Sequence, residues 1–165
     1  MGVHGVVANV DGPALGMGIF SELRPSDPRG RVSLRLEAAA WRRTVSRDAG
    51  EAELTWMLLR ARLCFVETAG AGGPISVALC GVLDGGAFTA SATQARNPLS
   101  YAGPWAGAGL AGGATWTVTP RLGFELEGGL LVPLVRDDLV LRPNALLYST
   151  PTLAMWLGIG PVLRF

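Results

Sequence analysis

Apolar and polar residues alternate along most of the chain, in segments that are separated by turn signals. Clusters of Gly, Pro, Asn and Asp, such as Asp11-Gly12-Pro13 and Arg142-Pro143-Asn144, recur at fairly even spacing. Evenly spaced segments bounded in this way predict an all-β sandwich or barrel. The predicted strands cover residues 2–10, 14–24, 31–45, 52–67, 75–91, 105–119, 122–135 and 150–165.

The period within most segments is two, which is the period of a strand. In the last segment every odd position from Leu153 to Phe165 is apolar. In the seventh, one face is apolar while the other carries Glu125 and Glu127. Only residues 52–67, taken alone, would also fit an amphipathic helix.

The aliphatic face is predicted to point outward, because the opposite face combines Gly and Ala with Arg, Glu and an occasional Trp. The interior of a small barrel is just wide enough for side chains to fill, so small residues and paired charges suit it. A continuous aliphatic face suits lipid, and a sheet in lipid must close because each unpaired edge group costs several kcal/mol. The predicted outward side chains include Leu34, Leu36, Leu59, Leu63, Leu79, Leu126, Leu130, Leu157 and Ile159.

We therefore predict one domain, residues 1–165, that forms a closed antiparallel eight-stranded up-and-down transmembrane β-barrel, with its first strand paired to its last. Eight is the smallest size of such barrels. With both termini in the periplasm, the turns after strands 2, 4 and 6 should be short and those after strands 3, 5 and 7 longer. The same orientation puts Phe65, Trp116, Phe124 and Phe165 near the periplasmic end, as an aromatic girdle.

Composition agrees with a membrane protein more than with a soluble one. The chain is 49% hydrophobic and 16% charged, with a mean hydropathy of +0.34, which is apolar for a soluble domain. Its net charge of +1 gives no basic field, so we expect no nucleic-acid partner. No segment has the length of a spanning helix, and the start lacks the features of a signal peptide. We expect a mature chain or one whose true N-terminus lies upstream.

The last strand carries the most specific motif. Residues Pro151 to Phe165 alternate between apolar and other residues and end in Phe, which is similar to the signal that the outer-membrane assembly machinery reads. The chain thus resembles the small eight-stranded outer-membrane β-barrels of the OmpA/OmpX type. The resemblance implies a bacterial outer-membrane location, contact with membrane lipid, and recognition of Phe165 by the assembly machinery. Pro161 departs from the pattern because proline cannot donate to a strand ladder.

Two cysteines flank the Gly70–Pro74 turn. In an unbulged hairpin centred on that turn, residues whose numbers sum to 144 are opposed, and Cys64 and Cys80 satisfy this condition. Opposed Cβ atoms lie about 4.5–5.5 Å apart, which is close to what a disulfide needs. We predict a cross-strand disulfide, with two free buried thiols as the alternative. Two cysteines and the distant His4 cannot complete a zinc site, so no metal or cofactor is expected.

The same register sets Arg60 opposite Asp84, and both face inward. Other charged residues at inward positions are Glu22, Arg35, Glu37, Arg62, Glu125, Glu127 and Arg164. They could line a narrow ion path. A lumen filled by interlocked salt bridges is the favoured interpretation, because buried charges persist only when they are paired.

Evidence for catalysis is weak. Residues 107–112 match the dinucleotide pattern G-x-G-x-x-G, but they follow a loop and no amphipathic helix comes after them. No nucleophile elbow or metal motif is present. The sequence therefore predicts a monomeric, non-enzymatic integral outer-membrane barrel with a structural, adhesive or minor-pore role. The alternative is a soluble lipocalin-like barrel that binds a small apolar ligand. A lipid-modifying enzyme would need a Ser/His pair at the rim, for which only His4 is available.

Overall fold

The fold is built from antiparallel strands. The computed structural model describes residues 1–9, 13–23, 32–47, 50–68, 73–92, 100–136, 138–141 and 145–164. The strands are β1 (Gly2–Asn9), β2 (Pro13–Leu23), β3 (Val32–Arg47), β4 (Gly50–Thr68), β5 (Ile75–Ala92), β6 (Ser100–Thr117), β7 (Leu122–Pro133), β8 (Asp138–Leu141), β9 (Ala145–Ser149) and β10 (Ala154–Leu163). No helix in these ranges is long and apolar enough to cross a membrane.

Strand pairing follows the order β1-β10-β7-β6-β5-β4-β3-β2, and β1 is also paired with β2. The first strand therefore pairs with the last strand of the chain, as predicted. All pairs are antiparallel, which confirms the all-β antiparallel prediction. Residues 52–67 lie within β4, so the helical interpretation of that segment is wrong. Strands β8 and β9 form a separate two-stranded sheet.

Both chain ends lie at one end of the barrel, which we call the terminal end. The Met1 ammonium donates to the Leu163 carbonyl oxygen at 2.8 Å. The opposite, distal end carries the β1–β2, β3–β4 and β5–β6 connections and the β8–β9 hairpin.

Three boundaries at the distal end differ from the sequence prediction. Strand β6 begins at Ser100 rather than near residue 105, and a hairpin stands where a plain loop was expected after strand 7. Arg47 pairs with Gly50, so the connection after strand 3 is short, and that part of the loop-length prediction is wrong. Strands β3 and β4 continue as a paired ladder to Arg47 and Gly50, two residues beyond the predicted bounds at residues 45 and 52.

The outward aliphatic face is confirmed. All nine side chains predicted to face outward are exposed, from 40% for Leu34 to 71% for Leu59. Residues that alternate with them along the strands, such as Arg35 and Arg60, are buried. The G-x-G-x-x-G segment lies within β6, where a Cβ on Gly107 would approach Leu131 Cδ2 to 2.6 Å. This glycine therefore makes room for a bulky interior neighbour.

The polarity of the two faces reverses along the long strands. Outward positions are apolar over Val32–Ala40 of β3 and Met57–Phe65 of β4, and we call this level the apolar band. Nearer the distal end, in the distal section, the outward positions of β3 are Arg42, Thr44 and Ser46. Outward positions in the distal part of β4 are Glu51, Glu53 and Thr55.

The interior reverses in the opposite sense at the same level. Inside the apolar band it holds Arg60 and Arg62, whereas inside the distal section it holds apolar side chains such as Leu54. Trp56 is opposite both Trp41 and Phe88 in the strand register, so the change occurs at one height on three strands.

Gly129 tests how tightly the interior is packed. A Cβ there would lie 2.6 Å from Trp156 Nε1 and 2.8 Å from the Leu110 carbonyl oxygen. We expect Gly129→Ala to lower the free energy of unfolding by about 1–3 kcal/mol, because overpacking displaces neighbours. Gly85→Ala is the control, since nothing lies within 4 Å of its Cβ position, and its effect should stay within about 0.5 kcal/mol. Urea titration of the folded protein measures both, and equal losses would contradict the packing argument.

Candidate functional site: the charged and aromatic interior

Arg60 and Asp84 form a fully buried ion pair between β4 and β5. Arg60 Nε donates to Asp84 Oδ1 at 2.7 Å, and Nη2 donates to Oδ2 at 2.8 Å. Such two-point contacts are the strong form of a charge-assisted hydrogen bond. Glu37 Oε1 lies 3.9 Å from Arg60 Nη1. The two partners are opposed in the strand register, as the sum of 144 predicted.

Arg62 links strands on opposite sides of the barrel. It donates to Glu37 on β3 and to Glu127 on β7, with a further bond of 3.0 Å from Nη2 to Glu127 Oε1. Strands β4 and β7 are not neighbours in the sheet. Arg62 therefore connects β4 to β7 by ion pairs that cross the lumen.

Arg35 makes a second set of ion pairs between strands. Its Nη1 and Nη2 donate to the two carboxylate oxygens of Glu125, both at 2.8 Å. It also donates to Glu127 Oε2 at 3.0 Å and reaches Glu22 Oε2 at 3.4 Å. This network ties β3 to β2 and β7.

Little free space remains among these charges. A cavity of about 20 Å³ lies between Arg35, Arg62 and Glu127, which is room for about one water molecule. A wider cavity of about 420 Å³ opens at the terminal end beside Glu22 and Arg164. Arg164 is half-buried there and donates to Thr117 Oγ1 at 2.9 Å, so it lies at the mouth of the lumen.

The arginines also lie over aromatic rings. The Arg60 guanidinium carbon is 4.4 Å from the Trp156 ring centroid and 5.2 Å from that of Trp41. Arg62 lies 4.7 Å from Trp156, and Arg35 lies 3.8 Å from Phe20. The sequence pattern had indicated only an occasional inward Trp. The signal was present, because Trp41 and Trp56 share the parity of the inward charges on their strands.

A group of rings that we call the distal aromatic cluster fills the interior of the distal section. It comprises Trp56, Phe88, Trp105 and Tyr148. The Trp56 centroid lies 5.0 Å from Phe88, 6.5 Å from Trp105 and 6.2 Å from Tyr148, and Phe88 lies 5.6 Å from Tyr148. Tyr148 belongs to β9, in a segment that the sequence pattern assigned to a loop, so its place in the cluster could not be predicted.

The predicted disulfide is present between Cys64 and Cys80, with a Cα–Cα distance of 4.0 Å. Both cysteines are buried on the terminal side of the Arg60–Asp84 pair and are opposed in the register. No group of three or more His, Cys, Asp and Glu side chains could hold a metal ion within the ranges that the structure covers.

The predicted girdle residues lie near the terminal ends of their strands. Phe65, Trp116 and Phe124 are 50%, 56% and 46% exposed, and Trp116 is opposite Phe124 in the register. Phe165 lies outside the described residues. The girdle role itself stays a prediction.

The Arg60–Asp84 pair carries the first site prediction. Asp84→Ala leaves a buried guanidinium without its two-point partner, so the free energy of unfolding should fall by about 3–5 kcal/mol. Glu53→Ala breaks the outward Arg42–Glu53 pair and should cost at most about 1 kcal/mol. Denaturant titration measures both. A cost below about 1 kcal/mol for Asp84→Ala would show that the charge is not buried as described.

The disulfide carries the second site prediction. It joins residues 16 apart in sequence, and a closed loop of about this length stabilises by about 3 kcal/mol through the unfolded state. Reduction, or the double substitution Cys64→Ser with Cys80→Ser, should lower the denaturation midpoint accordingly. The double variant is its own control, because reductant should leave its midpoint unchanged. A wild-type midpoint insensitive to complete reduction would contradict the prediction.

Comparison with known proteins identifies the fold. No protein-family model matches the chain, and no curated protein matches it by sequence. Neisserial surface protein A (NspA) is 12% identical, with a TM-score of 0.65 over 99% of this chain and 94% of that one. A major outer membrane protein from Thermus thermophilus is 15% identical, with a TM-score of 0.66 over 100% of both chains. Ail, the attachment invasion locus protein of Yersinia pestis, is 12% identical, with a TM-score of 0.54 over 99% and 94%. The chain has the fold of the small outer-membrane β-barrels of the OmpA/OmpX type, as its sequence predicted.

Proposed function

We propose that this chain is an integral bacterial outer-membrane protein, a closed eight-stranded transmembrane barrel with a structural or adhesive role and no enzymatic activity. The observation that carries the proposal is the apolar band. Its outward side chains are apolar over nine residues of β3 and nine of β4. A tilted membrane-spanning strand needs about 9–11 residues.

The exposed apolar surface is far larger than a soluble monomer tolerates. Soluble monomers rarely expose a continuous apolar patch of more than a few hundred Å². Here Met17, Leu59, Leu83, Leu110 and Ile159, on five different strands, are each at least 60% exposed. An aliphatic surface that extends around the barrel in this way suits hydrocarbon as its solvent.

The polarity reversal supports an orientation. The distal section has charged residues outside, including an Arg42–Glu53 pair at 2.5 Å, and this exterior suits water. We propose that the distal end is extracellular and that the terminal end faces the periplasm. Phe65, Trp116 and Phe124 would then lie in the periplasmic girdle. The C-terminal strand, ending at Phe165, would be read by the assembly machinery, and the protein would be a monomer.

The interior favours a closed barrel over a pore or an enzyme. Arg35 and Arg62 each contact carboxylates on the far side of the lumen, and a cavity between them has room for about one water molecule. The ion pairs of both Arg35 and Arg62 would have to break before ions could pass. The lipocalin-like alternative needs a polar exterior, whereas outward side chains of the apolar band such as Leu36 and Leu59 are apolar and exposed.

A matched pair of arginine substitutions on β3 separates the membrane barrel from the soluble one. Leu36 faces outward in the middle of the apolar band, and Thr44 faces outward in the distal section. In a membrane barrel, Leu36→Arg should cost about 2–4 kcal/mol, because arginine is destabilising near the bilayer midplane. Thr44→Arg adds the same charge outside the band and should change the stability by at most about 0.5 kcal/mol.

Guanidinium titration of the protein folded in lipid vesicles gives both values. A soluble barrel would keep Leu36→Arg within about 0.5 kcal/mol, since an exposed leucine in water contributes little. It would also stay in solution without detergent. Either result would overturn the proposed membrane location.

A further inference from the structure

The interior of the distal section differs chemically from the interior of the apolar band. The distal interior begins at the level of Trp41, whose ring is contacted by the Arg60 guanidinium from the side of the apolar band. Beyond that level the described interior side chains are apolar or aromatic, apart from the half-buried Arg43 on the inward face of β3. The distal aromatic cluster lies in this part of the interior, which we call the chamber.

Tyr148 is the one member of the cluster that does not come from a barrel strand. It belongs to β9, and β8 and β9 pair only with each other. Tyr148 is only 3% exposed, and its ring packs on Trp56 and Phe88 at 6.2 and 5.6 Å. Because the hairpin forms its own two-stranded sheet, moving it away would leave the barrel ladder intact.

Three indole N–H groups at this level have no acceptor among the described residues. They belong to Trp41, Trp56 and Trp105, whose side chains are 2%, 0% and 4% exposed. Buried donors are nearly always hydrogen-bonded in native proteins, and an unpaired one costs about 1–3 kcal/mol. The rings around them supply no strong acceptors. An acceptor brought by another molecule would satisfy these donors.

The net charge of the interior restricts which class of molecule can bind in the chamber. The described interior holds five carboxylates (Glu22, Glu37, Asp84, Glu125 and Glu127) and five guanidinium groups (Arg35, Arg60, Arg62, Arg43 on the inward face of β3, and Arg164 at the terminal mouth). Because these charges balance, the interior has no net charge that would attract an ion. The indole N–H donors disfavour cations, because they need an electron pair to accept their protons.

We propose that the distal aromatic cluster is a binding site for a neutral, flat ring compound that carries oxygen acceptors, and that Tyr148 occupies this site when no such molecule is bound. The ring of the ligand takes the position of the Tyr148 ring against Trp56 and Phe88. Its oxygen atoms accept hydrogen bonds from the indole N–H groups. The proposal goes beyond the proposed function and rests on interior contacts alone, so it does not depend on the membrane assignment.

The test uses coumarin, a neutral flat lactone whose oxygens only accept hydrogen bonds, and the full chain folded in detergent micelles. Each Trp Nε1–H gives its own NMR signal, and this proton moves downfield when it donates a hydrogen bond. We expect saturable shifts of the signals of Trp56 and Trp105. The outward Trp116, at 56% exposed, is the internal control and should show no saturable shift. Coumarin-3-carboxylate, its anionic analogue, should bind at least tenfold more weakly.

Two variants separate site binding from general partitioning. Trp105→Phe keeps a ring but removes one donor, so coumarin affinity should fall about two- to tenfold. Tyr148→Ala removes the competing ring and should raise the affinity at least threefold, because a larger fraction of the protein is then competent to bind. Tyr148→Leu serves the same purpose if the alanine variant does not fold.

Three results would overturn the proposal. One is the absence of any saturable shift of the Trp56 and Trp105 signals up to millimolar coumarin. Another is an equal saturable shift of Trp116, which would show partitioning into the micelle. The third is an unchanged or weaker affinity when Tyr148 is replaced. None of these results bears on the Leu36→Arg comparison, so the failure of this proposal and that of the membrane location are distinguishable.

Discussion

Ion pairs across the lumen are the constraint on which the rest of the structure depends. Arg62 joins β4 to β3 and β7, and Arg35 joins β3 to β2 and β7. Burying a charge costs several kcal/mol unless a partner and further hydrogen bonds compensate it. These side chains can therefore stay inside only where strands from opposite sides of the barrel bring carboxylates within reach. The charge pairing therefore depends on how the sheet curls around its interior.

Polarity also reverses along a single strand, between the apolar band and the distal section. In β4, Arg60 faces inward and Leu59 outward, but nearer the distal end Leu54 faces inward and Glu53 outward. The backbone alternation is unchanged between the two levels. The outward side chains are apolar at one level and polar at the other. The interior holds ion pairs at the level of the apolar band and an aromatic cluster in the distal section.

Local geometry made part of the interior predictable. The Gly70–Pro74 turn is short, so one register relates all residues of the β4–β5 hairpin, and Cys64–Cys80 and Arg60–Asp84 both follow from it. The distal boundaries were not predictable in the same way. The predicted third strand ended at residue 45 and the fourth began at 52, because the intervening residues are a turn signal, whereas the ladder continues to Arg47 and Gly50. Ser100 was missed because Gly103-Pro104 is itself a turn signal, and the β8–β9 hairpin was missed because its strands have only four and five residues and flank the turn signal Arg142-Pro143-Asn144.

The sequence by itself determined the strand alternation, the face that points outward, and the pairs that are opposed within one hairpin, because these depend on a period of two and on a single short turn. Only the tertiary structure decided that Arg35 meets Glu125, 90 residues away, that Arg62 meets Glu127, and that Tyr148 lies on Trp56. These contacts join strands that are not neighbours in the sheet. They depend on the curvature and stagger with which the sheet wraps around its interior, and no local pattern of residues specifies either quantity.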